Sequence, residues 1–152
     1  MFSKLFNKKN IEKRYKFQTR DFIITLEPGW VEYNLEQPQL DDPLSFVKEE
    51  NGTGALQISL ATAKHGEKFD IHKFLERGTQ SHIDRIKQYK LREWIVYEYE
   101  DQKDEMFIKF INLIKFNVHV FATYTCVFSY QNKNELNEAI KIIKTIKVVS
   151  NN

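Results

Sequence analysis

The sequence predicts an α+β fold, an antiparallel β-sheet of about six or seven strands with helices packed on it. Three observations carry this. Residues 105–128 read as two strands that are apolar on both faces: Met106, Ile108, Phe110, Ile114 and Phe116 share one face of the first, Val118, Val120, Ala122, Tyr124, Cys126 and Phe128 one face of the second, and Phe107, Ile111, Leu113, Phe121 and Val127 add apolar residues to the opposite faces. Such strands belong in the middle of a sheet covered above and below. The other strand patterns are joined by short polar turns, which favours antiparallel neighbours. Two helix patterns, near 71–86 and 135–147, supply covering layers.

The strands follow in order. Phe22, Ile24 and Leu26 alternate with Ile23 and Thr25, so 21–27 is a strand. Pro28-Gly29 breaks it, Trp30 follows, and 31–36 continues as a strand. Residues 37–43 hold two prolines and form a loop. Residues 44–50 and 55–63 are strands joined by Asn51-Gly52-Thr53-Gly54, where asparagine and glycine tolerate positive φ. Asp70 caps a helix with an apolar side at Ile71, Phe74, Leu75, Ile83 and Ile86. Residues 89–100 read as one strand and 101–105 as a charged turn. Within the hairpin the turn falls near 115–118, although Phe116-Asn117 is a poor turn pair. Asn134 caps the last helix, whose stripe is Leu136, Ala139, Ile140, Ile143 and Ile146, with Val148 and Val149 closing it.

A chain of 152 residues suits one domain with a sizeable core. Its net charge of +2 hides an asymmetry. Residues 1–20 carry Lys4, Lys8, Lys9, Lys13, Arg14, Lys16 and Arg20 against Glu12 alone, which leaves the remainder acidic. The expected division is a basic amino-terminal arm, 1–13, and a single domain, 14–150. Phe2, Leu5 and Phe6 recur at helical spacing; the expectation is a loose tail that packs Phe2 and Phe6 on the body, with a basic helix contacting an anionic membrane surface, a nucleic acid or an acidic partner as the alternative. One cysteine allows no internal disulfide. No apolar run reaches the length of a membrane span, and the first residues lack the apolar centre of a secretory signal. The expected location is cytoplasmic.

No residue pattern indicates catalysis, a cofactor or a metal. His65, His72, His82 and His119 form no ligand pair of metal-site spacing. His119 is expected at a sheet surface. Cys126 lies in the same hairpin at opposite parity, so the two side chains face apart, and a packed thiol is the expectation. The run Asn51–Gly54 lacks the lysine and helix of a phosphate loop. Trp30 and Trp94 suit core packing, with interface anchoring as the alternative.

The run Phe22-Ile23-Ile24-Thr25-Leu26-Glu27-Pro28-Gly29-Trp30 resembles the opening of the Mog1/PsbP-like group, which includes DcrB-like bacterial proteins. Gly54-Ala55-Leu56-Gln57-Ile58-Ser59 resembles the second strand of such domains, and the element order over about 20–149 is similar. The resemblance implies an α/β/α sandwich and a non-enzymatic role, since members generally bind other proteins as adaptors, assembly factors, chaperones or toxin immunity proteins. DcrB-like members are exported lipoproteins; this chain lacks their lipobox cysteine. The expected function is therefore a cytoplasmic protein-binding domain of bacterial immunity, adaptor or chaperone type. A peripheral membrane or nucleic-acid binder acting through 1–20, including Lys4, Lys8, Lys9, Lys13 and Arg14, is the first alternative. An enzyme of unrecognised type is the second. The expected partner-binding residues are the loop carboxylates Asp41, Asp42, Asp101, Asp104 and Glu105, which suit a basic partner.

Overall fold

The structure is a computed structural model that describes residues 9–17, 20–33, 43–63, 70–73, 75 and 85–149. Ten strands occur there: β1 Ile11–Phe17, β2 Arg20–Leu26, β3 Trp30–Glu32, β4 Leu44–Lys48, β5 Gly54–Thr62, β6 Lys87–Leu91, β7 Trp94–Lys103, β8 Met106–Lys115, β9 Val118–Val127 and β10 Lys147–Val149. Seven form one sheet in the order β3-β4-β5-β9-β8-β7-β6, with every neighbouring pair antiparallel. The predicted hairpin is β8–β9, and β9 is the middle strand. A second sheet, order β1-β2-β10, is three-stranded.

The hairpin strands are packed on both sides, with the first face buried and the second buried at Asn112, Ile114 and His119 and half-buried along the rest of its length. On the first face Leu56, Ile58, Val96, Ile111, Leu113, Val120 and Ala122 meet Ile24 and Leu26 of β2 and Ala139, Ile142 and Ile143 of the terminal helix, Lys133–Lys144. On the second face Tyr97, Tyr99 and Ile114 meet Ile71 and Leu75, with Phe110 packed against them. Residues 71–73 and 75 are helical, and Asp70 caps them as expected by accepting from Lys73 N at 3.2 Å. The fold is thus an α+β sandwich, with the small sheet beside the terminal helix as an unforeseen part of the first covering layer.

Several boundaries differ from expectation, each for a local reason. The basic arm does not extend to Lys13, because β1 starts at Ile11 and pairs along its whole length with β2. Tyr15 fixes it inward, meeting Phe46 edge-on at 6.2 Å and donating to Glu32 at 2.9 Å. Lys4 and Lys8 lie outside the described residues. The single strand expected at 89–100 is a hairpin, β6–β7, turning at Arg92-Glu93 with Arg92 at φ 53°. Arg92 also donates to Lys144 O at 2.5 Å at the end of the terminal helix, which gives that turn a purpose. Residues 101–103 are strand rather than turn, because β7 pairs with β8 out to Lys103 and Met106. The terminal helix is capped by Asn132, not Asn134, and Val148 and Val149 belong to β10. The strand expected at 31–36 starts at Trp30 and ends at Glu32, with Tyr33 outside it, and 34–36 lie outside the described residues. Ile86 is not helical, and 76–84 lie outside the described residues.

Candidate binding site

The sheet register collects the turns at one end of the sandwich. Gly54 pairs with Cys126, Met106 with Val127, and Trp30 with Lys48. The Pro28-Gly29 turn, the Glu49–Thr53 turn, the Asp104-Glu105 turn and the start of the terminal helix therefore lie together. Phe128–Tyr130 forms a 3-10 turn leading into that helix. Phe128 N donates to Glu105 O at 2.7 Å, which ties this turn to the β7–β8 turn.

The centre of this end is Glu135, which is 1% exposed. Its carboxylate accepts from Thr53 N at 2.9 and 3.2 Å, from Thr53 Oγ1 at 3.1 Å, from Gly54 N at 2.9 Å and from the Tyr124 hydroxyl. A buried carboxylate is tolerable only when its oxygens are satisfied in this way. Its own N–H donates to Asn132 Oδ1 at 3.1 Å, so the residue that caps the helix also orients Glu135. Gly54 is required for close approach: a Cβ there would lie 2.6 Å from the Tyr124 ring. Its absence lets the phenol reach Glu135.

Electrostatics then fix the nearby protons. Burial, reinforced by the hydrogen bond to Glu135, pushes the Tyr124 hydroxyl well above the ordinary tyrosine value. Burial pushes the Cys126 thiol up as well, with the Glu135 charge adding and the Tyr124 hydrogen bond opposing. A protonated, buried thiol is a poor nucleophile. The cluster is a structural clamp between the β4–β5 turn, β9 and the helix.

Two depressions flank the clamp. A cavity of about 230 Å³ is lined by Phe107, Tyr124, Cys126 and Leu136, with Gln131, Asn132 and Lys133 at its polar side. A groove of about 650 Å³ lies across Asn132, between the Pro28-Gly29 turn, the Glu49–Asn51 turn and the helix. Its lining carries Glu27, Glu49, Glu50, Glu135 and Glu138 against Lys9 and Lys48. Glu138 accepts from Trp30 Nε1 at 2.9 Å and pairs with Lys48 at 2.9 Å, while Glu27 pairs with Lys141 at 3.3 Å. Two aromatics, Phe128 at 46% and Tyr130 at 66%, are exposed in the 3-10 turn that joins Cys126 and Gln131 of the cavity lining along the chain.

The expected partner-binding residues are only partly brought together. Asp104 and Glu105 are exposed in the β7–β8 turn at this end. Asp101 is half-buried within β7, accepts from Gln102 N at 2.8 Å and helps burial push Tyr99 up to about 12. Asp41 and Asp42 lie outside the described residues. Of the basic residues, Arg14 pairs with Asp21 at 3.2 Å, Lys13 is an exposed β1 residue and Lys9 lines the groove. Trp30 and Trp94 are core residues, the latter donating to Ile146 O at 3.3 Å. His119 is not at a surface. It is 2% exposed, its Nε2 lies 2.8 Å from Asn112 Oδ1, and burial lowers its pKa to about 4. His72 is exposed and meets the Tyr97 ring edge-on at 6.4 Å, whereas His65 and His82 lie outside the described residues. Among the described residues no group of three or more His, Cys, Asp or Glu could hold a metal ion. Among them, too, no helix is long and apolar enough to cross a membrane.

The sequence pattern puts Tyr124 and Phe128 on the apolar face of the second hairpin strand; Tyr124 is buried there, but Phe128 leaves the strand for the 3-10 turn and is exposed, and the pattern gives no role to Glu135 or Tyr130. The signal for Glu135 was present: it stands three residues after Asn132, as a capping box requires, and on the same helical stripe as Ala139, Ile142 and Ile146.

No family model and no curated protein matches this chain. Solved structures do. A crystal structure from Bacteroides thetaiotaomicron VPI-5482 aligns with a TM-score of 0.59 at 15% identity, over 85% of this chain and 45% of that one. This chain therefore spans less than half of the Bacteroides protein's length. The solution structure of PsbP (CyanoP) from Synechocystis sp. PCC 6803 aligns with a TM-score of 0.58 at 8% identity, over 91% of this chain and 92% of that one. The strand order, the two-sided packing of the hairpin and these alignments agree: the chain has a Mog1/PsbP-like α+β fold.

Proposed function

We propose that this domain is a non-enzymatic protein-binding module, of the immunity, adaptor or chaperone type found among small bacterial proteins, and that it works in the cytoplasm through the turn end of its large sheet. The observation that carries the reading is the pair of exposed aromatics, Phe128 and Tyr130, in a turn that is tied to the acidic Asp104-Glu105 turn and leads into residues lining a small cavity. Aromatic side chains are enriched at protein interfaces, and nearby carboxylates select a partner by charge and speed its approach. The polar groups around Glu135 are committed to one another, which suits a rigid platform. The membrane or nucleic-acid reading through the basic arm is weakened by the Arg14–Asp21 pair and by the commitment of residues 11–17 to β1.

The test compares tagged wild-type protein with a Phe128→Ala/Tyr130→Ala variant in quantitative affinity purification from the source cells. A stoichiometric protein partner that the variant loses supports the reading. Recovery of the partner in equal amount by both forms refutes the surface, and turnover of a small molecule abolished by Tyr124→Phe refutes the non-enzymatic role.

A further inference from the structure

We infer that the cavity and the groove together receive one extended basic segment of a partner protein, with a bulky apolar side chain as anchor; the inference rests on the protein-binding reading. Size decides the first point. At about 230 Å³ the cavity is smaller than the roughly 300–1,000 Å³ of small-molecule sites. It is larger than the roughly 150 Å³ engineered space that takes a benzene ring. It therefore matches a single aromatic or large aliphatic side chain better than a drug-sized ligand. Phe107, Cys126 and Leu136 give it apolar walls.

Charge decides the second point. Asn132 lines both the cavity and the groove, so a chain anchored in one continues into the other. Glu27 and Glu138 are paired with lysines and Glu135 is buried, so the acidic character of the groove rests on Glu49 and Glu50, both exposed, against Lys9. Phe128 and Tyr130 add ring faces on which a lysine or arginine can rest. A segment that places lysine or arginine within a few residues of its anchor satisfies all three features. An acidic segment would meet like charge along the groove.

The probe is a random twelve-residue peptide library displayed on phage, selected against the full chain. The expected consensus holds one Trp, Phe, Leu or Met with at least two Lys or Arg. The enriched peptide, synthesised and labelled, should bind at least tenfold more weakly to Glu49→Lys/Glu50→Lys, and to Leu136→Trp, which fills the cavity. Circular dichroism confirms that each variant is folded; the double lysine variant changes only exposed side chains, so it decides the matter if Leu136→Trp does not fold. An acidic or purely apolar consensus overturns the inference, as does a peptide whose affinity neither variant changes. Discovery of a stoichiometric partner that the selected peptide fails to displace also overturns it while sparing the protein-binding reading. Absence of both partner and peptide removes the two together.

Discussion

Replacing Glu135 by alanine should be among the most damaging single changes in this chain. It leaves Thr53 N, Thr53 Oγ1, Gly54 N and the Tyr124 hydroxyl without their acceptor in a site that is 1% exposed. Hydrogen bonds to a charged group contribute about 1.5–3 kcal/mol each. Four such bonds do not add in full, because the substitution also relieves the desolvation of a buried carboxylate. The expected net loss is about 3–5 kcal/mol, because each neutral donor left unsatisfied in a buried site costs about 1–3 kcal/mol and the relieved desolvation offsets part of that sum. At roughly 2–4 °C per kcal/mol for a domain of this size, Tm should fall by roughly 6–20 °C. Calorimetry measures the fall, and hydrogen exchange locates it, with the Thr53 and Gly54 amides losing protection first. Glu135→Gln keeps the shape and one acceptor oxygen, so it should lie between wild type and alanine. A loss under about 1 kcal/mol for Glu135→Ala, or unchanged exchange at Thr53 and Gly54, would refute the clamp.

Three other outcomes are expected. Burial lowers the His119 pKa from 6.5 to about 4, so the fold favours the neutral ring. The stability this represents is fully present above pH 6.5 and is lost as pH falls towards 4, by roughly 3 kcal/mol at most; urea midpoints measured at pH 7 and pH 4.5 should show a drop that His119→Gln reduces. Phe116 holds φ 52° with its side chain exposed, so Phe116→Asn should raise Tm by a few degrees; a lower Tm would mean the ring is engaged in packing. Tyr15→Phe should cost about 1 kcal/mol by removing the bond to Glu32, and no change in denaturant midpoint would show that β1 is only loosely held.

The centre of the fold was legible in the sequence, and its periphery was not. The β8–β9 hairpin announces itself because both of its faces are apolar, which no surface strand can sustain. Asp70 and the Asn51–Gly54 connection were legible because capping and positive φ favour few residue types. The β6–β7 turn was hidden because Arg92 takes positive φ without being glycine or asparagine, and its reward, a carbonyl at the end of the terminal helix, is remote in sequence. β1 was hidden because it is an edge strand in which Glu12, Lys13, Arg14 and Lys16 are exposed. Charged side chains are what an edge strand needs to avoid unwanted pairing, and in the sequence they looked like an arm. The acidic loop surface was half legible: Asp104 and Glu105 are in an exposed turn, but Asp101 belongs to a strand. The clamp residue was missed because a glutamate on a helix is ordinarily a solvated one, and only the three-dimensional closure of the β4–β5 turn over it makes it central.

The most direct test of the binding account is position-specific photocrosslinking in the source cells, with benzoylphenylalanine placed at Tyr130 and, as a control, at Phe116. Both side chains are exposed, so neither replacement should disturb the fold. Phe116 sits at the opposite end of the large sheet, in the β8–β9 turn. The account predicts a discrete crosslinked species from position 130 that charge reversal at Glu49 and Glu50 diminishes, and none from position 116. A crosslinked species from position 116 alone, or from neither position in cells where a partner co-purifies, would contradict it.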